Sequence, residues 1–432
     1  MACARSFVLI ACTVGLVGCR SPEPAPGLLR IGTSGDYAPF SERLEGEGGL
    51  RGFDIDVARA FAQDAGYEIE WVPFRWVSLA RDFAQARFDV AMSGVTVRVD
   101  RSVLGRFSVP VVSSGAVVLY DTRRFSVDGV ATLADLDRGD VRIAVNRGGH
   151  LEKVARAHLA RARLETRADN GAVREALVAG EVDAIVTDTL EAPHWRKGLP
   201  HVEAFGPLTR DRKAYWVSPA KPELARRLDD WLLEREADGT LATLRRDWFG
   251  SAETPAPAAA ALALVAATEE RLALMAWVAE SKRVAGRAVE DAAREERVLE
   301  AALQGVARAA ARRGVSPPDE RRVRRFYRAQ IEAAKAIQRA TLAAPPSRPA
   351  SAEDLLDPLR PALLRIGDRM ASLIVVLGER DVSRPVLRAL RESLSRYPIP
   401  DSVSAALVDA FSQLRSGVVE AEHQDRASAN AP

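Results

Sequence analysis

The sequence predicts a multidomain protein in which a two-lobed α/β domain is followed by an all-helical domain. Between residues 28 and 250, short apolar runs alternate with amphipathic stretches, which is typical of an α/β fold. Residues 251–260 are rich in Pro and Ala, have no apolar period and are therefore interpreted as a linker. Beyond it, residues 261–420 carry apolar side chains at helical spacing.

The length and composition exclude several classes of protein. The chain has 432 residues, of which 47% are hydrophobic and 28% are charged. It is therefore too long for one ordinary domain and too apolar to be disordered. The formal net charge of +2 provides no global field for nucleic acid or an acidic membrane surface. Any selectivity for anions must come from local clusters of charge.

The N-terminal segment has the features of an export signal. All three cysteines lie there, and Arg5 precedes an apolar run at residues 7–17 that is too short to span a bilayer. The letters LVGC, ending at Cys19, resemble the lipobox of bacterial lipoproteins. We therefore expect residues 1–19 to be a lipoprotein-type signal peptide, Cys19 to be lipidated and residues 20–27 to be a tether. A plain secretory signal and a short uncleaved anchor are the alternatives.

The α/β part is expected to form two lobes. The two halves should divide near residues 117–120, and an extended segment at residues 214–217 should bring the chain back, so that two strands join the lobes. In chain order the predicted strands and helices are LLRIGTS, FDIDVARAFAQDAG, YEIEWVPF, LARDFAQARF and DVAMSGVT, followed by VRIAVNRGGH, LEKVARAHLARA and VREALVAGEVDAIVTD.

Four motifs in this part resemble extracytoplasmic solute-binding proteins of the polar amino-acid type. They are GDYAPFS, GFDIDVARAFA, FDVAMSGVTVRVDR and RFSVP, in that order. The resemblance implies a cleft in which Thr96, Arg101 and the backbone at Gly94 hold a ligand carboxylate. It also places Tyr37 and Trp76 on the wall of the cleft, although packing in the core is the alternative for each aromatic side chain.

Within that family, further segments resemble the periplasmic cyclohexadienyl dehydratases. They include RWVSLARDFAQARFDVAMSG, VNRGGHLEKVARAHLARARL, DNGAVREALVAG, TDTLEA and RKAYWV. The resemblance implies conversion of prephenate to phenylpyruvate, or of arogenate to phenylalanine, with Glu191 as general acid and Asp188 in the cleft. Joint loss of CO₂ and a ring hydroxyl requires a proton on the departing oxygen, and burial raises the pKa of a carboxyl group enough to supply it. Roles at a helix terminus are the alternatives for both residues.

A turn between a strand and a helix offers a place for a second carboxylate, and prephenate has two. There the backbone N–H groups from Asn146 to Gly149 could cradle the anion. The sequence departs from the dehydratases at Arg147, where they have Pro, and at His150, where a Thr normally touches the ligand. His150 either donates to a carboxylate or lies in a surface loop. The reaction requires no metal or organic cofactor, and no Cys or His cluster has metal-ligand spacing.

Residues 267–338 are expected to form three helices that share a charged face. Arg271 and Lys282 lie almost three turns apart on one helix face, opposite an apolar face. After a break at Gly286, acidic residues suited to a helix start come just before Arg294. A plain three-helix bundle with solvated charges is the alternative interpretation.

These helices resemble the secreted, all-helical class of chorismate mutase. The elements ERL, VAxxK, EDxxRE and QIxAxKxxQ have the order and spacing of that family. The resemblance implies that Arg271 and Arg294 bind the substrate carboxylates, while Lys282 and Gln338 hydrogen-bond the ether oxygen of the breaking bond. Forked Arg donors suit carboxylates, and donors aimed at developing charge are all that a pericyclic rearrangement needs. The remaining positions that the resemblance assigns to this site are Asp291, Glu295 and Arg369.

Together the resemblances imply a bifunctional exported enzyme of phenylalanine biosynthesis. The helical domain would convert chorismate to prephenate, and the two-lobed domain would convert prephenate or arogenate further. The alternative keeps the mutase but makes the first domain a noncatalytic receptor for an amino acid or keto acid. The expected location is the periplasm, with a membrane tether through Cys19. Further helices are predicted at 354–377, 382–395 and 402–418, followed by a tail at 421–432.

Overall fold

The computed structural model describes residues 27–44, 49–125, 129–250, 258–346, 352–377 and 382–414. The predicted signal peptide with Cys19, almost all of the tether, most of the linker and the tail lie outside the described residues. Within them, a two-lobed α/β part is followed by an all-helical part, which confirms the predicted fold class.

In the first lobe, the second half of β1 is buried almost continuously, whereas more and less exposed side chains alternate along most of β5. The first helix begins after Gly52, whose φ of 135° brings its backbone against the Phe40 carbonyl, a conformation that favours glycine. The elements are β1 (Gly27–Thr33), β2 (Asp36–Tyr37), β3 (Ser41–Arg43), β4 (Leu50–Arg51), α1 (Phe53–Ala65), β5 (Tyr67–Pro73), α2 (Leu79–Ala84), β6 (Val90–Ala91), α3 (Val99–Ser102) and β7 (Arg106–Phe107).

A short strand, β8 (Val112–Ser114), leads into the second lobe. The strands β9, β10 and β12 of that lobe are buried almost throughout, as expected for strands covered on both faces. The elements are β9 (Ala116–Asp121), α4 (Leu133–Leu136), β10 (Arg142–Asn146), α5 (His150–His158), β11 (Arg163–Arg167), α6 (Asn170–Val178), β12 (Ala184–Asp188), α7 (Ala192–Arg196) and β13 (Val202–Phe205).

The chain returns to the first lobe through β14 (Asp211–Lys213), β15 (Trp216–Val217), α8 (Pro222–Ala237) and α9 (Thr240–Phe249). β14 pairs antiparallel with β8, and these two strands join the lobes. The structure divides the lobes at other residues than predicted. Residues 117–120 lie inside β9 of the second sheet, and residues 214–217 end in β15 of the first sheet. The joining strands are short and partly exposed, so no apolar run marks them.

Each lobe contains a five-stranded sheet, in the order β5-β1-β6-β15-β7 for the first and β11-β10-β12-β9-β13 for the second. β1 and β6 are parallel in one sheet, and β10 and β12 are parallel in the other. The carboxyl ends of these parallel strands carry the loops that begin near Ser34, Met92, Arg147 and Thr189. Ligands in open α/β sheets bind at that end, so these loops are where a ligand cleft is expected.

The helical part begins at Ala259, so the last residues of the predicted linker are already helical. Asp291 and Asp319 each accept a hydrogen bond from a backbone N–H in the first turn of the helix that they precede. Gly314 ends one helix in the left-handed conformation. The helices are α10 (Ala259–Ala273), α11 (Met275–Val284), α12 (Ala292–Arg313), α13 (Glu320–Ala343), α14 (Ala352–Leu377), α15 (Arg384–Leu394) and α16 (Asp401–Ser412).

The helical part packs against the first lobe, and their buried apolar residues form one continuous core. Polar contacts cross the boundary: Ser102 donates to Glu270 at 2.7 Å, and Arg106 pairs with Asp368 at 3.0 Å. The two parts therefore share an interface well beyond the linker. Within the described ranges, no helix is both long and apolar enough to cross a membrane.

Candidate active sites

The cleft between the lobes is closed in this structure. Asp36 of the first lobe accepts a hydrogen bond from the backbone of Asn170 in the second lobe at 3.4 Å, and Lys153 pairs with Asp100 at 2.7 Å. Gly148 packs so tightly that a Cβ there would lie 2.5 Å from the backbone of Val77. Because the lobes touch, the groups inside the cleft are almost completely shielded from water.

A lysine on the joining strand β14 lies at the centre of the cleft. The Nζ of Lys213 lies 3.0 Å from Asp188 Oδ2, 2.9 Å from Thr96 Oγ1 and 3.2 Å from the hydroxyl of Tyr37. None of these four side chains is more than 4% exposed. The structure thus brings together Tyr37, Thr96 and Asp188, from both lobes, around Lys213, which is not among the predicted site residues.

Arg101 provides a buried positive charge beside this group. Its guanidinium donates to the carbonyl oxygen of Thr96 at 2.9 Å and forms no ion pair with any described carboxylate. Burial lowers the pKa of Arg101 to about 9, and the nearby Arg98 charge acts in the same direction. A buried cation without an anion is unfavourable until a ligand supplies one, so this geometry suits a carboxylate.

The loop that carries Thr96 is held from behind by Asp54. One oxygen of Asp54 accepts from the Gly94 N–H at 2.5 Å, and the other accepts from the Tyr215 hydroxyl at 3.0 Å. Burial raises the pKa of Asp54 to about 7. Gly94 has φ +62°, and a Cβ there would lie 2.6 Å from the ring of Tyr37. Any side chain at position 94 would collide with Tyr37, so the predicted contact between the backbone and a ligand carboxylate requires glycine there.

Glu191 lies three residues after the end of β12, and its carboxyl group lies close enough to Asp188 and Lys213 of the cleft to interact with their charges. It is 0% exposed, accepts from the Thr187 hydroxyl at 2.5 Å through Oε2, and has no described hydrogen-bond partner for Oε1. Burial raises the pKa of Glu191 well above its usual value, and the charges of Asp188 and Asp36 raise it further. Its side chain does not cap α7. This is the environment of a carboxylic acid held ready to donate a proton.

Trp76 and Asp188 each combine a structural contact with a position at the cleft. The indole N–H of Trp76 donates to Asp36 at 3.1 Å, and its ring packs edge-on against Tyr37 with centroids 5.5 Å apart. Asp188 accepts from the backbone of Leu190 at 2.9 Å, in the turn before α7, and forms an ion pair with Lys213. Trp76 therefore packs in the core and also lies at the cleft. Asp188 lies in the cleft and does not cap α7, whose N-cap residue is Glu191.

The turn from Asn146 to Gly149 is less available to an anion than its sequence predicts. The N–H of Arg147 donates to a backbone carbonyl at 2.9 Å, and that of Gly148 donates to Glu152 at 2.6 Å. Two of the four amides are therefore engaged within the protein. Asn146 is buried, and its Oδ1 has no described partner. Asn146 and the amide of Gly149 remain as candidate ligand contacts.

His150 lies inside the cleft rather than in a surface loop. Its Nε2 is 2.8 Å from Asp211 on β14, and both side chains are largely buried. Burial lowers the pKa of His150, against the opposing effect of Asp211. No group of three or more His, Cys, Asp or Glu side chains in the described ranges is arranged to hold a metal ion.

A second polar group lies between α10 and α13 in the helical part. Arg271 forms no ion pair with a described acid, and burial lowers its pKa. The Tyr327 hydroxyl and the Oε1 atoms of Gln330 and Gln338 are buried without described partners. The Nε2 of Gln330 contacts the hydroxyl of Thr268 at 3.5 Å. The free Tyr327 hydroxyl beside an unpaired cation indicates a site for an anionic group, and the two free amide oxygens can accept from a ligand hydroxyl.

The other predicted mutase residues gather near the start of α12. Lys282 donates to the carbonyl of Val289 at 3.0 Å, and burial together with the nearby Arg294 charge lowers its pKa. Arg294 is exposed. Asp291 caps α12 through the Arg294 N–H, and Glu295 pairs with Lys335 at 3.2 Å. Both acids thus have structural contacts beside the two cations.

Arg369 is the one predicted mutase residue that the structure places elsewhere. Its guanidinium binds the carboxylate of Glu270 and the carbonyl oxygen of Phe107 in the first lobe, and it is 3% exposed. Successive residues on a helix point about 100° apart, so Glu270 faces the first lobe while Arg271 faces α13. Arg369 pairs with Glu270 and therefore lies at the interface with the first lobe. The sequence does not reveal this interface.

Comparison with known proteins divides the chain at the same place. Residues 29–251 match the bacterial extracellular solute-binding proteins, family 3, and residues 262–339 match chorismate mutase type II. The chain is 37% identical over 229 residues to a cyclohexadienyl dehydratase of Pseudomonas aeruginosa, covering 52% of this chain and 83% of that protein. It is 28% identical over 230 residues to the L-cystine-binding protein TcyJ of Escherichia coli, covering 52% of this chain and 84% of that protein.

Among solved structures, the ancestral amino acid-binding protein AncCDT-1, a precursor of cyclohexadienyl dehydratase, is 32% identical. It aligns with a TM-score of 0.48 and covers 52% of this chain and 96% of that chain. The family matches over residues 29–251 and 262–339 show that the chain belongs to the bacterial extracellular solute-binding proteins of family 3 and carries a chorismate mutase type II domain after that part.

Proposed function

We propose that this chain is a bifunctional enzyme that converts chorismate to prephenate in its helical part and prephenate to phenylpyruvate in its two-lobed part. The observation that carries the dehydratase half is Glu191, a carboxyl group with one unpartnered oxygen in a closed, water-poor cleft. The dehydratase relative from Pseudomonas aeruginosa supports the same assignment.

In the dehydratase step, Arg101 binds one carboxylate of prephenate, and Asn146, the Gly149 amide and His150 contact the other end. Glu191 donates its proton to the ring hydroxyl as the C–O bond breaks, so that this oxygen leaves as water. The bond to the ring carboxylate breaks in the same process, and its electron pair completes the aromatic ring as CO₂ departs. A proton donor in hydrogen-bond reach contributes about 10²–10⁴-fold to such a step.

In the mutase step, one C–O bond of chorismate breaks and one C–C bond forms, with no proton transferred. Arg271 binds a carboxylate in the buried space beside Tyr327, and Arg294 binds the other carboxylate from the rim. Lys282 and the amide N–H of Gln338 donate to the ether oxygen, where negative charge develops. Such preorganised donors are the main source of catalysis in this kind of reaction. Asp291 and Glu295 position the cations, and Arg369 belongs to the interface.

We also propose that the protein is exported and tethered as a lipoprotein through Cys19, with residues 1–19 as signal peptide and 20–27 as tether. The sequence of this segment supports the proposal, together with the extracellular location that the name of the family states. The proposed divisions are 28–250 for the dehydratase domain, 251–260 for the linker, 261–420 for the mutase domain and 421–432 for the tail.

Two separate assays test the two activities. Purified protein supplied with prephenate should release phenylpyruvate, which is measured by its absorbance in alkali. The same protein supplied with chorismate should consume it, which is followed by the loss of chorismate absorbance. Consumption of chorismate with accumulation of prephenate would reject the dehydratase and leave a noncatalytic receptor domain. An unchanged chorismate signal would reject the mutase.

A further inference from the structure

The helical part binds the chain directly beside Arg101, the cation that the proposed dehydratase reaction uses for a substrate carboxylate. Ser102, the last residue of α3, donates to Glu270 of α10 at 2.7 Å, and both side chains are buried. Glu270 is held in turn by a buried ion pair with Arg369 of α14. Contact between the two parts therefore begins one residue away from the guanidinium that meets the ligand.

Arg365 of α14 makes a second attachment to the same short helix. Its guanidinium donates to the carbonyl oxygen of Ser102 at 3.1 Å and to that of Val103 at 2.9 Å. These carbonyl groups lie at the C-terminal end of α3, where a helix has no donors of its own and an arginine side chain can supply them. Arg365 is half-buried and forms no ion pair with a described acid. Its described polar contacts are thus spent on α3.

The position of α3 depends on such attachments. The helix contains only the four residues Val99–Ser102, and its N-cap residue Arg98 makes no side-chain capping hydrogen bond. A helix of this length is not stable by itself. The first lobe holds the carbonyl of Arg101 through the indole N–H of Trp216 at 3.1 Å. The end of α3 is held by the helical part.

A neighbouring residue of α10 holds the joining strand β14 in the same way. Glu269 forms ion pairs with Arg212 of β14 and with Arg396, the latter at 2.9 Å. Arg212 directly precedes Lys213, whose ammonium lies at the centre of the cleft. The consecutive residues Glu269 and Glu270 therefore bind the chain beside both buried cations of the cleft.

We infer that the helical part supplies positioning residues for the cleft of the two-lobed part: Glu270 and Arg365 fix α3 and thereby place the guanidinium of Arg101 for a ligand carboxylate. The inference rests on the proposed dehydratase function, in which that carboxylate belongs to prephenate. Arg271 follows Glu270 directly on α10, so a single helix carries a residue of the proposed mutase site and a support of the other site. The helical part is thus required for both reactions.

Arg365→Met in the full-length protein removes this support with little other disturbance, because it leaves no acid unpaired. Prephenate KM should rise about five- to tenfold while kcat stays within about twofold, since a displaced Arg101 binds substrate and transition state equally less well. Chorismate kcat/KM should remain at the wild-type value, although the substitution lies in the helical part. Arg365→Lys keeps a donor for the same carbonyl groups and should restore most of the wild-type prephenate KM.

The matched control is Arg360→Met, at an exposed arginine of the same helix, and it should leave the prephenate KM unchanged. An unchanged prephenate KM in Arg365→Met would overturn the inference. Equal losses of prephenate and chorismate kcat/KM would also overturn it, because they would show general damage to the fold. If Arg365→Met does not fold, Ser102→Ala, which removes the hydrogen bond to Glu270, is measured with the same expectations.

Hydrogen exchange tests the support of α3 without substrate or turnover. The amides of Val103, Leu104 and Gly105 donate back to carbonyl groups of α3 at 3.0–3.2 Å. They should exchange at least about fivefold faster in Arg365→Met than in the wild type and in the control, and equal rates would contradict the inference. A wild type that does not convert prephenate would reject the proposed dehydratase, whereas the exchange rates decide the inference separately, so the two failures are distinguishable.

Discussion

Replacing Glu191 with Gln removes the proposed proton donor while keeping the shape of the side chain. The wild-type carboxyl group is completely buried and accepts a hydrogen bond from Thr187 at 2.5 Å. The Oε1 atom of a glutamine can accept the same hydrogen bond, so the surrounding structure should be preserved. A glutamine amide, however, cannot transfer a proton to the departing hydroxyl.

The expected loss follows from the role of a general acid. Prephenate kcat should fall by about 10²–10⁴-fold, or about 3–5 kcal/mol of activation free energy. KM should change by no more than about threefold, because the carboxylates of the substrate are bound by other residues. Chorismate consumption should stay at the wild-type rate, since the helical part does not include Glu191.

The assay follows phenylpyruvate release from prephenate over a range of substrate concentrations. The matched control is Glu203→Gln, at an exposed glutamate of the same lobe that accepts from Tyr120 at 2.9 Å, and it should turn over prephenate normally. The reasoning would be refuted by a Glu191→Gln variant with near wild-type kcat. A large rise in KM with unchanged kcat would show instead that Glu191 acts in binding.

Three further predictions concern groups that the structure buries. Arg271→Met should lower chorismate kcat/KM by at least about 100-fold without lowering the thermal unfolding midpoint, because it removes a partly buried cation that has no acidic partner; a clear drop in the midpoint would contradict this. Asp54→Asn should gain stability relative to the wild type as pH rises from about 4 to about 7, by up to about 4 kcal/mol in urea unfolding. The Asp54 carboxyl group has a pKa of about 7 in the folded protein against 3.8 as its ordinary value, so the wild type loses stability as this group deprotonates. Parallel pH profiles of wild type and variant would contradict the prediction. Glu270→Gln should cost about 3–5 kcal/mol by leaving the buried Arg369 without its anion, and the added change Arg369→Met should recover part of that cost; equal stability of wild type and Glu270→Gln would count against the interface.

Much of the fold follows from local patterns in the sequence. Strand and helix periodicity predicts the α/β part, and the composition change after residue 250 predicts where the helical part starts. The motif around Thr96 and Arg101 predicts two residues that the structure does bring to one cleft. The resemblance of the TDTLEA segment to the dehydratases predicts Glu191, and its complete burial gives that prediction a physical basis.

The parts that were missed depend on contacts between distant segments. Lys213 is one of only six lysines in the chain and lies in the RKAYWV segment, a signal that could have drawn attention to it. Its position in the cleft depends on β14, which crosses between the lobes. Arg369 was assigned to the mutase site because the sequence does not reveal that the first lobe packs against α14. The positions of the joining strands were predicted wrongly because strands of three residues are too short to show an apolar periodicity.

The most direct measurement of the central claim starts from chorismate alone. The purified protein should convert chorismate to phenylpyruvate and release one equivalent of CO₂. Chromatography at successive times measures chorismate, prephenate and phenylpyruvate. Prephenate should rise briefly and then fall in the wild type, and it should accumulate in the Glu191→Gln variant. Accumulation of prephenate by the wild type, without CO₂ release, would contradict the account.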